Sequence, residues 1–211
     1  MTIAHADADR IEFGVQRLFA YVAEGLGAAT EAFVKRDRAL ALTLMESEPV
    51  IDALQTSVED HAQQLIVGNG GLTSSDIRLL VSVLRIVPEL ERSADLVEHI
   101  AMRAGMFATE LPAEVSGLIS QMGELAVGMW REAAQAWTDR SPAALVRLRT
   151  ADDAIDDLHV QLTEGLSKVR LTVPEAIELG LVARFFERLG DHAVNVTRRL
   201  AFLAAPLPAS A

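Results

Sequence analysis

Residues 187–196 read E-R-L-G-D-H-A-V-N-V, and residues 91–100 read E-R-S-A-D-L-V-E-H-I, so one pattern recurs after 96 residues. Arg103 and Arg199 extend the same register. Recurrence at a fixed long interval is typical of a duplicated structural unit. We therefore predict two repeats, one spanning residues 1–106 and the other spanning residues 107–211.

A second recurring sequence pattern supports the duplication. Residues 48–54 read E-P-V-I-D-A-L, and residues 152–158 read D-D-A-I-D-D-L, an offset of 104 residues. The two offsets differ by eight residues, and a length difference between the repeats in the glycine-rich turn at 68–75 would account for most of this. Both recurring patterns are therefore compatible with one duplication.

Helical periodicity runs through almost the whole chain. Ile11, Val15, Leu18 and Val22 follow one another at steps of four, three and four residues, which places them on one stripe of a helix. Glycine, proline and charged residues interrupt the pattern five times and leave six segments. The predicted helices span about 8–35, 38–67, 74–104, 113–138, 142–169 and 174–204. This predicts an all-α fold of two tandem three-helix bundles, six long helices in all.

Two helix starts and one interruption are visible in the sequence. Ser141-Pro142 and Thr172-Val173-Pro174-Glu175 combine a capping residue with proline in the first turn. Pro49 lacks an N–H and would kink the second helix, unless Ser47 caps a new helix that begins at Glu48.

Composition excludes several classes of function. The 211-residue chain has 30 acidic and 19 basic residues, a net charge of -11 and no cysteine. A nucleic-acid partner is not expected, because phosphate backbones are bound by clustered Lys and Arg. Disulfides and thiolate metal sites are excluded. The N-terminal segment lacks the apolar run of a secretory signal, so we expect a cytoplasmic protein.

Four acidic pairs with i, i+4 spacing stand at matching places in the two repeats. On a helix each pair shares one face, so facing helices would bring four carboxylates together in each repeat. Like charges about 6 Å apart repel by about 3 kcal/mol at an effective dielectric near 20, which favours protonation or a bound cation. Hard oxygen donors suit Mg²⁺, Ca²⁺, Mn²⁺ or iron. The candidate metal ligands are Glu48, Asp52, Glu91, Asp95, Asp152, Asp156, Glu187 and Asp191.

Spacing alone leaves other interpretations open. Acids four residues apart also occur on solvated helix faces, and Arg92 or Arg188 could neutralise them as surface ion pairs. Asp153 and Asp157 form an overlapping pair, so the assignment within 152–157 is open. His99 and His192 are further candidate ligands or ordinary polar residues.

Enzymatic alternatives lack their motifs. A ferritin-like di-metal site needs Glu-x-x-His on two helices, and this pattern does not occur in the chain. Nucleophile-elbow, phosphate-loop and dinucleotide-binding motifs are also missing. A carboxylate-bridged helical-bundle metalloenzyme and a metal-free scaffold remain as alternatives to a metal-binding regulator.

The repeated acidic motifs resemble those of the PhoU family of phosphate-signalling accessory proteins, and the resemblance covers nearly the whole chain. F-E-R-L-G-D-H-A-V-N-V at 186–196 carries it most strongly, followed by the acidic stretches at 91–95, 152–158 and 48–52. The first repeat departs from the family pattern at Pro49, Ser93 and His99. We therefore expect the second-repeat metal site to be the tighter of the two.

The resemblance implies a non-enzymatic, negative regulator of phosphate-starvation genes and of phosphate uptake. It implies an adaptor that connects the ATPase subunit of a phosphate ABC transporter to a phosphate-sensing histidine kinase, at the inner face of the membrane through these partners. It also implies a homodimer and bound metal ions, with iron, Mn, Mg and Zn as candidates.

Overall fold

The computed structural model describes residues 3–68, 71–107, 110–141 and 143–204, and every regular element within these ranges is helical. The elements are α1 (His5–Lys35), α2 (Arg38–Met45), α3 (Glu48–Gly68), α4 (Ser74–Met102), a 3₁₀ turn at Arg103–Gly105, α5 (Ala113–Asp139), α6 (Ala144–Leu166) and α7 (Val173–Ala204). The prediction of an all-α fold is confirmed.

Four long helices form the centre of the molecule. Helix α1 packs against α4 and α5, and α7 packs against the same two helices, so the four form a closed ring. Helix α3 covers α1 and α4, and α6 covers α5 and α7 on the other side. Each half thus contributes three helical units, as the duplication predicts. The boundary between residues 106 and 107 stays a prediction.

The apolar stripes predicted from the sequence form the core. Ile11, Val15, Leu18 and Val22 are each at most 1% exposed. Complete burial of such a side chain stabilises the fold by about 1.5–3 kcal/mol, so this one stripe is a substantial part of the packing of α1. Trp130 and Trp137 of α5 are fully buried, which agrees with helix-contact residues. Within the described residues, no helix is both long and apolar enough to cross a membrane.

The second predicted helix, about 38–67, is wrong as one continuous element. Helix α2 ends at Met45 and α3 begins at Glu48. The alternative, a new helix that begins at Glu48, is confirmed: the Ser47 carbonyl accepts from the N–H groups of Val50 and Ile51, and the Ser47 hydroxyl donates to the carbonyl of Leu44 at 2.6 Å. The break is placed where Pro49 can occupy the first turn of α3, where its missing N–H has no helical partner to lose.

Both third helices begin with the same device. Thr73 and Asp76 form a capping box at the start of α4. At the start of α7, the N–H and hydroxyl of Thr172 both donate to the Glu175 carboxylate at 2.8 Å. These contacts satisfy backbone donors that have no partner inside a helix. The predicted start at 172–175 is confirmed, whereas Pro142 lies outside the described residues.

Candidate metal centre

The second-repeat cluster (Asp152, Asp156, Glu187, Asp191) forms where α6 packs along α7. Asp152 and Asp156 lie one turn apart on α6, and Glu187 and Asp191 lie one turn apart on α7. The two helices approach closely at Gly190, where an added Cβ would stand 2.5 Å from Asp152 Oδ1. The absence of a side chain at this position lets the Asp152 carboxylate lie against the backbone of α7.

Electrostatics show that the four carboxylates act on one another across the two helices. Burial, followed by repulsion from Asp191 and Asp156, raises the pKa of Asp152 to about 6. Burial is also the main cause of the raised pKa of Asp156, with Asp191 next. A positive charge among these groups would remove the repulsion that raises their pKa values.

Glu187 has one paired and one unpaired oxygen. Its Oε1 lies 2.5 Å from Arg184 Nη1 on the preceding turn. Its Oε2 is buried and accepts no hydrogen bond from the described residues. Burial raises the pKa of Glu187, and the charge of Arg184 opposes that rise. A buried oxygen without a donor fits a cation ligand, because a cation would supply the missing positive partner.

The first-repeat cluster (Glu48, Asp52, Glu91, Asp95) lies between the start of α3 and the middle of α4. Glu48, Asp52 and Asp95 line a cleft that Tyr21 and Ser47 border. Burial raises the pKa of Glu91, and the charges of Asp95 and Asp52 raise it further. The structure therefore brings the predicted acids of α3 and α4 together here as well.

Glu98 also lines the first-repeat cleft, although it belongs to none of the four i, i+4 acidic pairs. It lines the same cleft as Glu48 and Asp52. Its pKa is raised by burial first and by Glu48 next. The spacing Asp95-x-x-Glu98 would have revealed it, since residues three apart also share a helix face. The corresponding position in the second repeat is Val194.

Neither cluster is a ready-made coordination shell. In the part of the chain that the structure describes, no three His, Asp or Glu side chains are arranged so that they hold a metal ion. The structure thus places the predicted ligands on facing helices without converging their oxygens on one point. Side-chain rotation would be needed to complete a shell.

The two candidate histidine ligands lie along α4 and α7, in the contact between the halves. His192 Nδ1 lies 3.0 Å from the Ser93 hydroxyl, which itself donates to the carbonyl of Glu89. Burial is the main cause of the lowered pKa of His192. His99 is exposed, and its ring packs on that of Phe185 at 5.5 Å. Both side chains are therefore engaged in contacts between α4 and α7.

Comparison with known proteins identifies the family. The PhoU domain matches this chain twice, at residues 15–104 and 119–200. The chain belongs to the PhoU family. The two matched segments of this PhoU protein contain the first-repeat and second-repeat clusters respectively, so the family pattern extends over both candidate centres.

Relatives and solved structures agree with the PhoU assignment. The phosphate-specific transport system accessory protein PhoU homolog 2 of Mycobacterium tuberculosis is 32% identical over 180 residues, which are 83% of this chain and 84% of the relative. The crystal structure of PhoU from Pseudomonas aeruginosa has a TM-score of 0.86 at 22% identity and covers 94% of this chain and 97% of its own. The phosphate transport system regulatory protein PhoU from Streptococcus pneumoniae has a TM-score of 0.82 at 23% identity, with 92% of each chain covered. The structures show that this chain has the PhoU fold.

Proposed function

We propose that this protein is an accessory protein of a phosphate-specific transport system, and that it acts by contact and not by catalysis. The double PhoU-domain match over both halves carries the proposal. The relative from Mycobacterium tuberculosis is named an accessory protein of such a system, and 83% of this chain aligns with it. The chain also lacks cysteine and the common nucleophile motifs, which supports a role without turnover.

In the finer form of the proposal, the protein is a cytoplasmic adaptor between the transporter ATPase subunit and a phosphate-sensing histidine kinase. It keeps phosphate-starvation genes repressed while phosphate is plentiful. A net charge of -11 supports control through protein partners, since direct binding to DNA would need clustered basic residues.

Genetics tests the adaptor role. Deleting the gene should derepress high-affinity phosphate uptake and starvation genes in phosphate-rich medium. Deleting the kinase in the same strain should abolish the transcriptional part of the effect. Persistence of that part without the kinase would contradict the adaptor mechanism, and phosphoester turnover or oxygen reduction by the metal-loaded protein would favour an enzyme instead.

The two carboxylate clusters are proposed as cation sites. Asp152, Asp156, Glu187 and Asp191 would hold a cation through hard oxygen donors, which suit Mg²⁺, Mn²⁺ or iron better than soft metals; Zn²⁺ is a further candidate. The buried, unpartnered Oε2 of Glu187 and the raised pKa of Asp152 support this assignment. A bound cation would neutralise the mutual repulsion of the carboxylates. The first-repeat ligands would be Glu48, Asp52, Glu91 and Asp95, with Glu98 as an added candidate.

Metal analysis tests the clusters separately. Glu187→Gln with Asp191→Asn should lower the number of bound ions after metal exchange, and Glu48→Gln with Asp52→Asn should act on the first cluster. Glu114→Gln with Glu164→Gln is the matched control, because both side chains are exposed, on α5 and α6, and the change in charge is the same. Unchanged stoichiometry in both cluster variants would refute cation binding by these residues.

A homodimer is proposed from the exposed apolar face at the start of α7. Val173, Ile177 and Leu181 follow one another at intervals of four residues and are 74%, 56% and 38% exposed. An apolar stripe on a helix surface is a common feature of self-association. Sedimentation at micromolar concentration should show a dimer that Ile177→Glu weakens and that Val146→Glu, at an exposed position of α6, leaves intact. A monomeric wild type would contradict the proposal.

A further inference from the structure

We propose that Arg184 is a built-in counter-ion of the second-repeat cluster, which competes with an incoming cation for the carboxylate of Glu187. The inference rests on the cation binding proposed above. It assigns a role to a residue outside the acidic motifs, and it predicts that the two clusters differ in what a cation must displace.

The geometry of the ion pair indicates which partner can move. The Glu187 side chain is 13% exposed, whereas that of Arg184 is 55% exposed. The carboxylate is thus held by its surroundings, and the guanidinium reaches it from solvent across one helical turn. Leaving Glu187 would return Arg184 to water, where its charge is well solvated. An arginine buried on all sides could not be released in this way.

Arg184 satisfies only part of the cluster. Its guanidinium pairs with Oε1 of Glu187, whereas Oε2 is buried and accepts no hydrogen bond from the described residues. Its charge lowers the pKa of Asp156 on α6 as well as that of Glu187. The other charges that face these two groups are Asp152, Asp153, Asp191 and His159. The single positive charge of Arg184 therefore acts on several carboxylates. A divalent cation in its place would supply two positive charges.

The first repeat has a different arrangement at the same register. The position 96 residues before Arg184 is Pro88, which has no charge. The arginine nearest in sequence to Glu91 is Arg92, and it pairs at 3.2 Å with Glu89, a carboxylate 10% exposed at its side chain. Among the described residues, no arginine or lysine forms an ion pair with Glu48, Asp52, Glu91 or Asp95. A cation can thus enter the first cluster without displacing a tethered counter-ion.

The test isolates the second cluster and varies the charge at position 184. The full-length protein carrying Asp52→Asn and Asp95→Asn is titrated with Mn²⁺, alone and with Arg184→Gln or Arg184→Lys. Loss of the positive charge should tighten Mn²⁺ binding about tenfold at low salt, and the gain should shrink as salt screens the charge. Arg184→Lys, which keeps the charge, should stay close to the parent.

A thermal measurement separates the charge effect from a structural one. Without Mn²⁺, Arg184→Gln should melt at a lower temperature than the parent, because the carboxylates lose their counter-ion. With saturating Mn²⁺, the difference should vanish or reverse. A merely structural role would lower the melting temperature equally in both conditions.

Each outcome decides the proposal. Tighter binding by Arg184→Gln than by Arg184→Lys supports it, including the case in which only Arg184→Gln binds Mn²⁺. If the parent binds Mn²⁺ and Arg184→Gln binds no tighter, the counter-ion role is overturned while cation binding stands. Equal tightening by Arg184→Lys overturns it too, since the effect would then be steric. If no variant binds Mn²⁺, the counter-ion proposal and cation binding at the second-repeat cluster both fall.

Discussion

Asp152 and Gly190 show how single residues set the electrostatics and the close packing of the second-repeat cluster. Burial and the neighbouring acids raise the pKa of the Asp152 carboxyl group to about 6. Gly190 lets that carboxylate approach α7, because a Cβ would stand 2.5 Å from its Oδ1. The position of the Asp152 carboxylate, and with it the charge of the cluster beside α7, therefore depends on the missing side chain at Gly190.

The stability of the metal-free protein should depend on pH through Asp152. Its pKa is higher in the folded protein, about 6, than the ordinary 3.8, so its proton favours folding at low pH and that contribution is lost as pH rises through 6. In chelator, Asp152→Asn should raise the free energy of unfolding by about 1–2 kcal/mol near neutral pH, allowing for solvent screening, and by little near pH 4. Urea unfolding at both pH values measures this. Asp157→Asn is the control, and an equal effect of Asp152→Asn at both pH values would contradict the prediction.

Gly190→Ala should weaken cation binding while the fold is retained. The new methyl would meet the end of a short, rotatable side chain, so the Asp152 carboxylate can move aside at modest cost. Its displacement should disturb the cluster and lower Mn²⁺ affinity severalfold in titration. Gly180→Ala on the same helix has open space within 4 Å of the new Cβ and should leave binding unchanged. Equal affinities for the two variants would show that the close approach at Gly190 has no role in the cluster.

Helices α1 and α5 illustrate how elements of the two halves are joined by small residues. A Cβ at Gly123 would lie 2.4 Å from the Thr30 methyl carbon and 2.5 Å from its hydroxyl oxygen. Thr30 is buried, and its hydroxyl donates to the carbonyl of Leu26 at 2.7 Å, which holds the side chain in place. The glycine therefore permits an interhelical distance that a larger residue would prevent.

Gly123→Ala should destabilise the contact between α1 and α5. The Thr30 side chain is constrained by packing and by its hydrogen bond, so we expect a loss of about 1–3 kcal/mol in the free energy of unfolding. Gly128→Ala, on the same helix with nothing within 4 Å of the new Cβ, should instead add up to about 1 kcal/mol through helix propensity. Chemical denaturation of both variants checks the opposite signs, and a loss in both would contradict the packing argument.

At the scale of the whole molecule, the repeated sequence forms a repeated contact between the halves. Arg103 and Arg199 share one register, and each reaches across to the other half. Arg103 bonds Glu178 at 2.7 Å and lies over the ring of Phe185 at 4.9 Å. Arg199 bonds Glu89 at 3.0 Å, and residues 89 and 185 also share a register. Equivalent arginines of the two repeats thus contribute to the contact between the repeats.

Glu89 and Arg199 should be energetically coupled across the halves. Glu89 is 7% exposed, and its carboxylate forms ion pairs with both Arg92 and Arg199. Neutralising Glu89 would therefore leave the charges of these two arginines poorly compensated. Glu89→Gln should lower the free energy of unfolding by about 1–3 kcal/mol. A double-mutant cycle with Arg199→Gln should show non-additive losses. Simple additivity would mean that the pair contributes nothing to the joining of the halves.

The sequence alone predicted the helical class, the duplication and the eight acids of the two clusters, and its acidic motifs carried the resemblance to the PhoU family. These properties depend on spacing along one chain, and a period of 3.6 residues with a repeat after 96 residues is visible without coordinates. The sequence left open whether the second helix kinks or divides at Pro49, because a proline there permits either a kink or a new start, and the local hydrogen bonds decide between them.

Tertiary structure decided which charges meet. The sequence contains Arg92, Arg184 and Arg188 beside the acidic motifs, and nothing in their spacing shows that Arg184 pairs with Glu187 while Arg92 pairs with the buried Glu89. It likewise does not show that Glu98 joins the first-repeat cleft or that Gly190 makes room for Asp152. These facts depend on distances between helices and on burial, and both arise only when separate elements pack against one another.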